Sequence, residues 1–213
     1  MDETEILGGE SSLQQWSDAV AAANAVPAGG TVAALTTALA AALVTMVAGL
    51  TTRREKYAAV HNYAQETLER ANVLRDDLLD LAIQDAIVIA EFMDALSLPQ
   101  GTEFERTARE AARRAALLEA ARVQLELLHQ AAEVAGLAEA MVGSGVATAI
   151  GDAATASFLA AAASRSAYWS IRGNLKTLGR DETRPMIDTA VVMLDQVEAT
   201  EIRIRQVLDE RVG

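Results

Sequence analysis

The sequence predicts an all-α bundle of about six helices with a buried Ala-rich helix at its centre. Three observations carry this. About a fifth of the 213 residues are Ala, the best intrinsic helix former, in a composition that is 51% hydrophobic but only 4% aromatic. Three Pro, no Asn-Gly or Asp-Gly pair and few apolar runs of period two argue against a sheet. Breakers then separate segments whose apolar residues recur at spacings of three and four. A mean hydropathy of +0.16 excludes a disordered chain.

Taken in order, Ser11 or Ser12 caps a first helix that runs through Trp16 to Ala25 and stops at Pro27. The second, Thr31 to about Leu50, is the buried helix, and the chain is expected to stay helical through Lys56 and Tyr57. A long third segment to about Leu96 carries Leu68, Leu74, Leu78, Leu81, Ile87 and Phe92, the period of a helix with one wet face. Leu98-Pro99-Gln100-Gly101 is a turn. Thr102 and Glu105 form a capping box for a fourth helix with Leu117, Leu118, Leu125 and Leu128. Gly143-Ser144-Gly145 breaks it. Asp152 caps or begins an Ala-rich fifth helix that ends near Leu178-Gly179. The sixth runs from Pro185, tolerable in a first turn, to Val207. No linker or fixed repeat divides residues 1–213, so one helical domain is expected.

Charge and composition exclude several function classes. A net charge of −12 repels phosphate backbones, which argues against nucleic acid as a partner. The absence of Cys removes disulfides, thiolate metal sites and a Cys nucleophile. The amino terminus, MDETEILGGE, is acidic where a secretory signal is basic, and a cytoplasmic location is expected. Val26 to Thr52 is uncharged and is followed by Arg53-Arg54, the pattern of a membrane span. Its Ala and Thr content and its Pro27-Ala28-Gly29-Gly30 opening favour the centre of a soluble bundle instead, so no membrane is expected.

Several residues could carry chemistry. Gly29-Gly30-Thr31 stands at a helix start, where free N–H groups favour an anion; as a lone feature an ordinary helix-helix turn is the favoured account, since Gly-rich turns are common connectors. Arg53, Arg54 and Lys56 cluster in an acidic chain, with Tyr57 and His61 on one face beyond them. They read either as a solvated run or as a carboxylate-binding or proton-donating group. Glu126 and His129 form a Glu-x-x-His pair, but His61 has Ala58 three residues before it, so the second pair of a di-iron bundle is missing and no metal is expected. Asp85 (LAIQDAIVI) and Asp152 (TAIGDAATA) are single acids in apolar surroundings, each a cap or a functional carboxylate with a raised pKa. Asn174, near a helix end, reads as a cap or turn former.

Together these segments resemble the cyclodeaminase/cyclohydrolase family, which includes the C-terminal domain of formiminotransferase-cyclodeaminase. The main match is PAGGTVAALTTALAAALVTMVAGLTTRREKY, Pro27 to Tyr57; Asp85 in the QDA segment, the Leu98-Pro99 turn, and Asp152 through Asn174-Leu175 follow in order. The chain departs from the pattern at Thr31, Arg53, Gly145-Val146 and Gly151. The resemblance implies an all-helical homodimer that acts on a tetrahydrofolate derivative as substrate, with no tightly bound cofactor. It implies hydrolysis of 5,10-methenyltetrahydrofolate to the 10-formyl compound, or ammonia release from 5-formiminotetrahydrofolate. Lys56 would be the cation or proton donor, Asp152 or Asp85 the acid/base, and Asn174 a substrate-orienting group. Gly29, Gly30 and Thr31, with Arg53 and Tyr57, would bind substrate. The alternative is a helical binding or scaffold protein of the same fold with weakened catalysis.

Overall fold

The computed structural model describes residues 6–8 and 10–212; the expectation drawn from the acidic amino terminus falls largely outside them. Among the described residues there are six α-helices and no strand: α1 Leu13–Ala21, α2 Gly29–Thr52, α3 His61–Ser97, α4 Glu103–Ser144, α5 Ile150–Leu175 and α6 Arg180–Val212. Two short 3-10 turns, Glu55–Val60 and Ala147–Ala149, precede α3 and α5.

The ends follow local chemistry where that chemistry is strong. Ser12 caps α1 through a capping box with Gln15, and Thr102 does the same for α4 with Glu105. Gly145 ends α4, its N–H donating to the Met141 carbonyl. Elsewhere tertiary context decides. The first helix stops at Ala21, not Ala25, because residues 22–25 are exposed and have no face to bury. The helix after the Ala-rich segment does not continue through Lys56 and Tyr57: Arg54 is extended, at φ −115° and ψ 115°. α5 closes at Leu175, short of Gly179. α6 begins at Arg180, so Pro185 lies beyond the first turn; the Asp181 carbonyl it leaves without a helical donor is on an exposed residue.

Successive helices from α2 to α6 alternate in direction. α2, α3, α4 and α5 pack in a ring, and α6 closes over α4 and α5. Their shared core holds Leu74, Leu78, Leu127, Leu128, Met141, Ile171 and Ile204 among many Ala. The Ala of α2 and α5 let backbones approach, so the interior is filled with few large side chains. Ion pairs set the register of the outer contacts: Arg70 with Glu133, Arg203 with Glu139, and Arg165 with Glu198 and Glu201.

α2 is not buried all round, as the sequence suggests. It is long and apolar enough to cross a bilayer, yet half of it is buried against α3, α4 and α5. Its outward face carries Val32, Leu39 and Met46, respectively 38%, 61% and 42% exposed. Beside Leu39 is an apolar cavity of about 240 Å³, lined by Leu13, Trp16, Leu35, Ala42, Leu79 and Ile83 among others. Trp16 is the single buried residue of α1.

Candidate functional site

The start of α2 has no cap of its own. Its N-cap is Ala28, which offers no side-chain oxygen. The missing acceptor comes from α3: Asp85 Oδ2 accepts the Thr31 hydroxyl at 2.8 Å and its carboxyl also takes the Thr31 N–H. From α4, Gln124 Nε2 donates to Asp85 Oδ1 at 2.6 Å. Asp85 and Gln124 are 4% and 2% exposed, and Thr31 is fully buried. Gln124 Oε1 is buried without a hydrogen-bond partner among the described residues.

Gly30 makes this grouping possible. A Cβ at that position would fall closer than 3.0 Å to Gln124 Nε2 and to the Asp85 carboxyl. Gly29, by contrast, is exposed and has open space where a side chain would go. Burial pushes the Asp85 carboxyl above its ordinary range, and the bonds from Thr31 and Gln124 pull it part of the way back. The result is a carboxyl that can hold and release a proton nearer neutrality than a solvated Asp can.

A second group gathers at the opposite end of α2. Arg53, Arg54 and Lys56 are exposed, and Lys56 Nζ lies 5.8 Å from the centre of the Tyr57 ring. The Tyr57 hydroxyl accepts the Ala147 N–H at 2.9 Å, and the Thr51 hydroxyl accepts the Val146 N–H at 3.0 Å. These two bonds fasten the segment after α2 to the link before α5, whose first turn carries exposed Asp152. His61 Nε2 pairs with the Arg54 carbonyl at 3.0 Å.

The expected site residues therefore fall into two groups. Gly29, Gly30, Thr31 and Asp85 are together; Arg53, Lys56 and Tyr57 follow the other end of α2, where the Tyr57–Ala147 bond brings the segment that leads into Asp152. The 24 residues of α2 separate them by about 36 Å. Asn174 is half-buried near the end of α5, eight residues past Ser166, which faces Gly29 and Val32; it belongs to the first end but lies about 12 Å further along.

Gln124 is the residue that sequence reasoning missed. Its signal was available: it follows Ala121 and precedes Leu128 and Ala131 at spacings of three and four, all buried, so it is an amide on an apolar stripe. Glu126 and His129 are half-exposed and 4.0 Å apart on the surface of α4. No group of three or more His, Cys, Asp or Glu suited to a metal ion occurs among the described residues.

Residues 12–191 match the family described as formiminotransferase-cyclodeaminase. A methenyltetrahydrofolate cyclohydrolase of Methylorubrum extorquens is 34% identical over 172 residues, covering 81% of this chain and 83% of that protein. A formimidoyltransferase-cyclodeaminase of Mus musculus is 27% identical over 172 residues, and the match covers 32% of its length. The crystal structure of a formiminotetrahydrofolate cyclodeaminase from Thermotoga maritima superposes with a TM-score of 0.86 at 25% identity, over 96% of this chain and 98% of that one. With all of Thr31, Asp85, Gln124 and Asp152 inside the matched span, the chain belongs to the formiminotransferase-cyclodeaminase family.

Proposed function

We propose that this protein is a folate one-carbon enzyme that hydrolyses 5,10-methenyltetrahydrofolate to 10-formyltetrahydrofolate. The observation that carries the reading is the buried Asp85 carboxyl, gripped by Thr31 and Gln124 where α2 begins, within a chain 34% identical to a methenyltetrahydrofolate cyclohydrolase. Water adds to the methenyl carbon and loses a proton to a base, giving a tetrahedral carbon. The bond from that carbon to N5 then breaks as N5 gains a proton, leaving the formyl group on N10. One proton is released overall. Asp85 or Asp152 carries the proton and Lys56 supplies the cation or acid, with Gly29, Arg53, Tyr57 and Asn174 holding the substrate; because α2 sets the two groups about 36 Å apart, the homodimer proposed below must bring them together. No step calls for a tightly bound cofactor.

Ammonia release from 5-formiminotetrahydrofolate is the second reading, favoured by the 0.86 TM-score to a cyclodeaminase. It passes through a tetrahedral carbon too, with nitrogen as the leaving group. We place the protein in the cytoplasm as a homodimer formed through the exposed apolar face of α2, Val32, Leu39 and Met46.

Purified protein mixed with the methenyl compound tests the reading through decay of its near-ultraviolet absorbance; parallel samples with the formimino compound are assayed for ammonia. Acceleration of one reaction selects that activity. No acceleration of either, together with no folate binding by calorimetry, leaves the binding or scaffold alternative.

A further inference from the structure

Between neighbouring helices the cations of this acidic chain meet carboxylates: Arg70, Arg114, Arg165 and Arg203 each pair with a Glu of another helix. The turn from α5 to α6 is different. Four of the chain's 18 Lys and Arg, namely Arg172, Lys176, Arg180 and Arg184, line one cavity of about 530 Å³ there. No Asp or Glu among the described residues lines it. Two acids of α6 beside it are already engaged, Glu182 with Arg114 of α4 and Asp188 with Arg184 at 3.5 Å. Like charges held around one cavity repel one another, and an anion between them relieves that repulsion.

The cavity has a fixed shape. Arg113 of α4 donates from Nη1 to the Thr177 hydroxyl at 3.2 Å, and the N–H of buried Thr183 donates to the Gly179 carbonyl at 3.2 Å. Buried Leu175 and half-buried Leu178 and Ile187 give it an apolar floor.

A second observation adds a ring to the charge. Trp169 is 64% exposed, in a chain with only one other Trp. The Arg172 guanidinium lies 5.2 Å from its ring centre and is held there by donating from Nη1 to the Tyr168 hydroxyl at 3.3 Å. Arg172 thus belongs both to the ring and to the cavity. Trp169, Arg172 and Lys176 stand at spacings of three and four on one face of α5, about 10 Å from first to last. A ribose and two phosphates bridge such a span. An exposed Trp stacks on flat bases, and Arg and Lys bind phosphate through charge-assisted hydrogen bonds.

We infer that this cavity is a binding site for a nucleoside polyphosphate, its base stacked on Trp169 and its phosphates held by Arg172, Lys176, Arg180 and Arg184. The volume is that of a small-molecule site, and the net charge of −12 argues against a long phosphate backbone in its place. The cavity lies on the α6 side of α5, whereas Gly29 and Val32 meet α5 at Ala162, Ala163 and Ser166. It is therefore separate from the Gly29–Asp85 grouping, and its occupancy is read without a folate.

Calorimetry with ADP, and with pyrophosphate and adenosine in parallel, tests the site. ADP should bind about tenfold or more tightly than either fragment, since the base and the phosphates contribute separately. Lys176→Gln combined with Arg180→Gln should weaken ADP about tenfold or more, with the melting temperature of the free protein unchanged or raised. Trp169→Leu should weaken ADP and adenosine but leave pyrophosphate unchanged. Trp16→Phe makes Trp169 the single Trp, and ADP should then quench its fluorescence where pyrophosphate does not.

No ADP binding at millimolar concentration, or ADP binding that the double variant leaves unchanged, overturns the site. Pyrophosphate that matches ADP while Trp169 fluorescence stays constant overturns the nucleotide. Displacement of ADP by the methenyl compound overturns the separation of this cavity from the folate site. Loss of folate turnover bears on none of these readouts, so failure of the folate reading and failure of this one are distinguishable.

Discussion

Thr31 and Asp85, 54 residues apart in sequence, meet at 2.8 Å in the interior, where the hydroxyl of one helix start donates to a carboxyl that does the work of its missing cap. The carboxyl is there at a cost. Burial raises its pKa, so between the ordinary Asp value and the raised one the folded protein binds more protons than the unfolded chain. Stability from this group is therefore fully present below the ordinary value and is lost as pH rises through the raised one. Asp85→Asn, a neutral isostere, removes that dependence. Urea unfolding across pH 4 to 8 should show wild type losing stability relative to Asp85→Asn as pH rises. A constant difference would mean that the carboxyl titrates normally.

Thr31→Val removes one of the bonds that pull the Asp85 pKa down, so the pKa should climb further. The variant leaves a buried carboxyl short of a donor, which costs about 1–3 kcal/mol. The acid limb of the pH–turnover profile should move to higher pH. An unmoved limb in a folded variant would take Asp85 out of the rate-governing ionisation.

Gly29 and Gly30 are adjacent and should respond in opposite ways to the same methyl group. Gly29→Ala meets open space on an exposed helix start and should keep or slightly raise the melting temperature, since Ala gains about 0.5–1 kcal/mol over Gly in a helix. Gly30→Ala drives a Cβ into Asp85 and Gln124, and overpacking of this kind costs about 1–3 kcal/mol. Equal melting temperatures would show that the Asp85 cluster yields freely.

Thr51 holds the link between α4 and α5 by accepting the N–H of buried Val146. Thr51→Val keeps the shape and orphans that donor, a loss of about 1–3 kcal/mol. Amide exchange at Val146 should quicken in the variant, and the same probe in Tyr57→Phe should quicken at Ala147. Protection unchanged at both positions would mean that the link is held by packing alone.

What the sequence made legible was the chemistry that acts locally. The Thr102–Glu105 box, the Leu98-Pro99 turn and the stop after Ser144 each depend on a few neighbouring residues, and each appears where those residues stand. The break after Thr52 does not. No Gly or Pro marks it, and it is held by bonds from Thr51 and Tyr57 to residues 146 and 147, some 90 positions away. Gln124 was overlooked for a related reason: an amide among Leu and Val gains meaning only when Asp85 lies opposite it. The separation of the two site groups was readable in principle, since Gly29 and Arg53 bracket one straight helix. Likeness to a family motif that runs through both ends obscured it.

Leu39 is the residue on which the proposed dimer turns. It is the most exposed large side chain of α2 and the centre of its uncharged face, so in a lone protomer its replacement should disturb little. Leu39→Glu substitutes one good helix former for another, and the difference in propensity is small. Across a two-fold axis the change is severe: two carboxylates meet in an apolar seam with no cation facing them, and an unpaired buried charge costs several kcal/mol. Sedimentation at micromolar concentration should therefore give about twice 22.5 kDa for wild type and 22.5 kDa for Leu39→Glu, with unchanged helical circular dichroism. A wild-type chain that sediments as a monomer would remove the proposed dimer; a Leu39→Glu variant that remains dimeric would move the interface off α2.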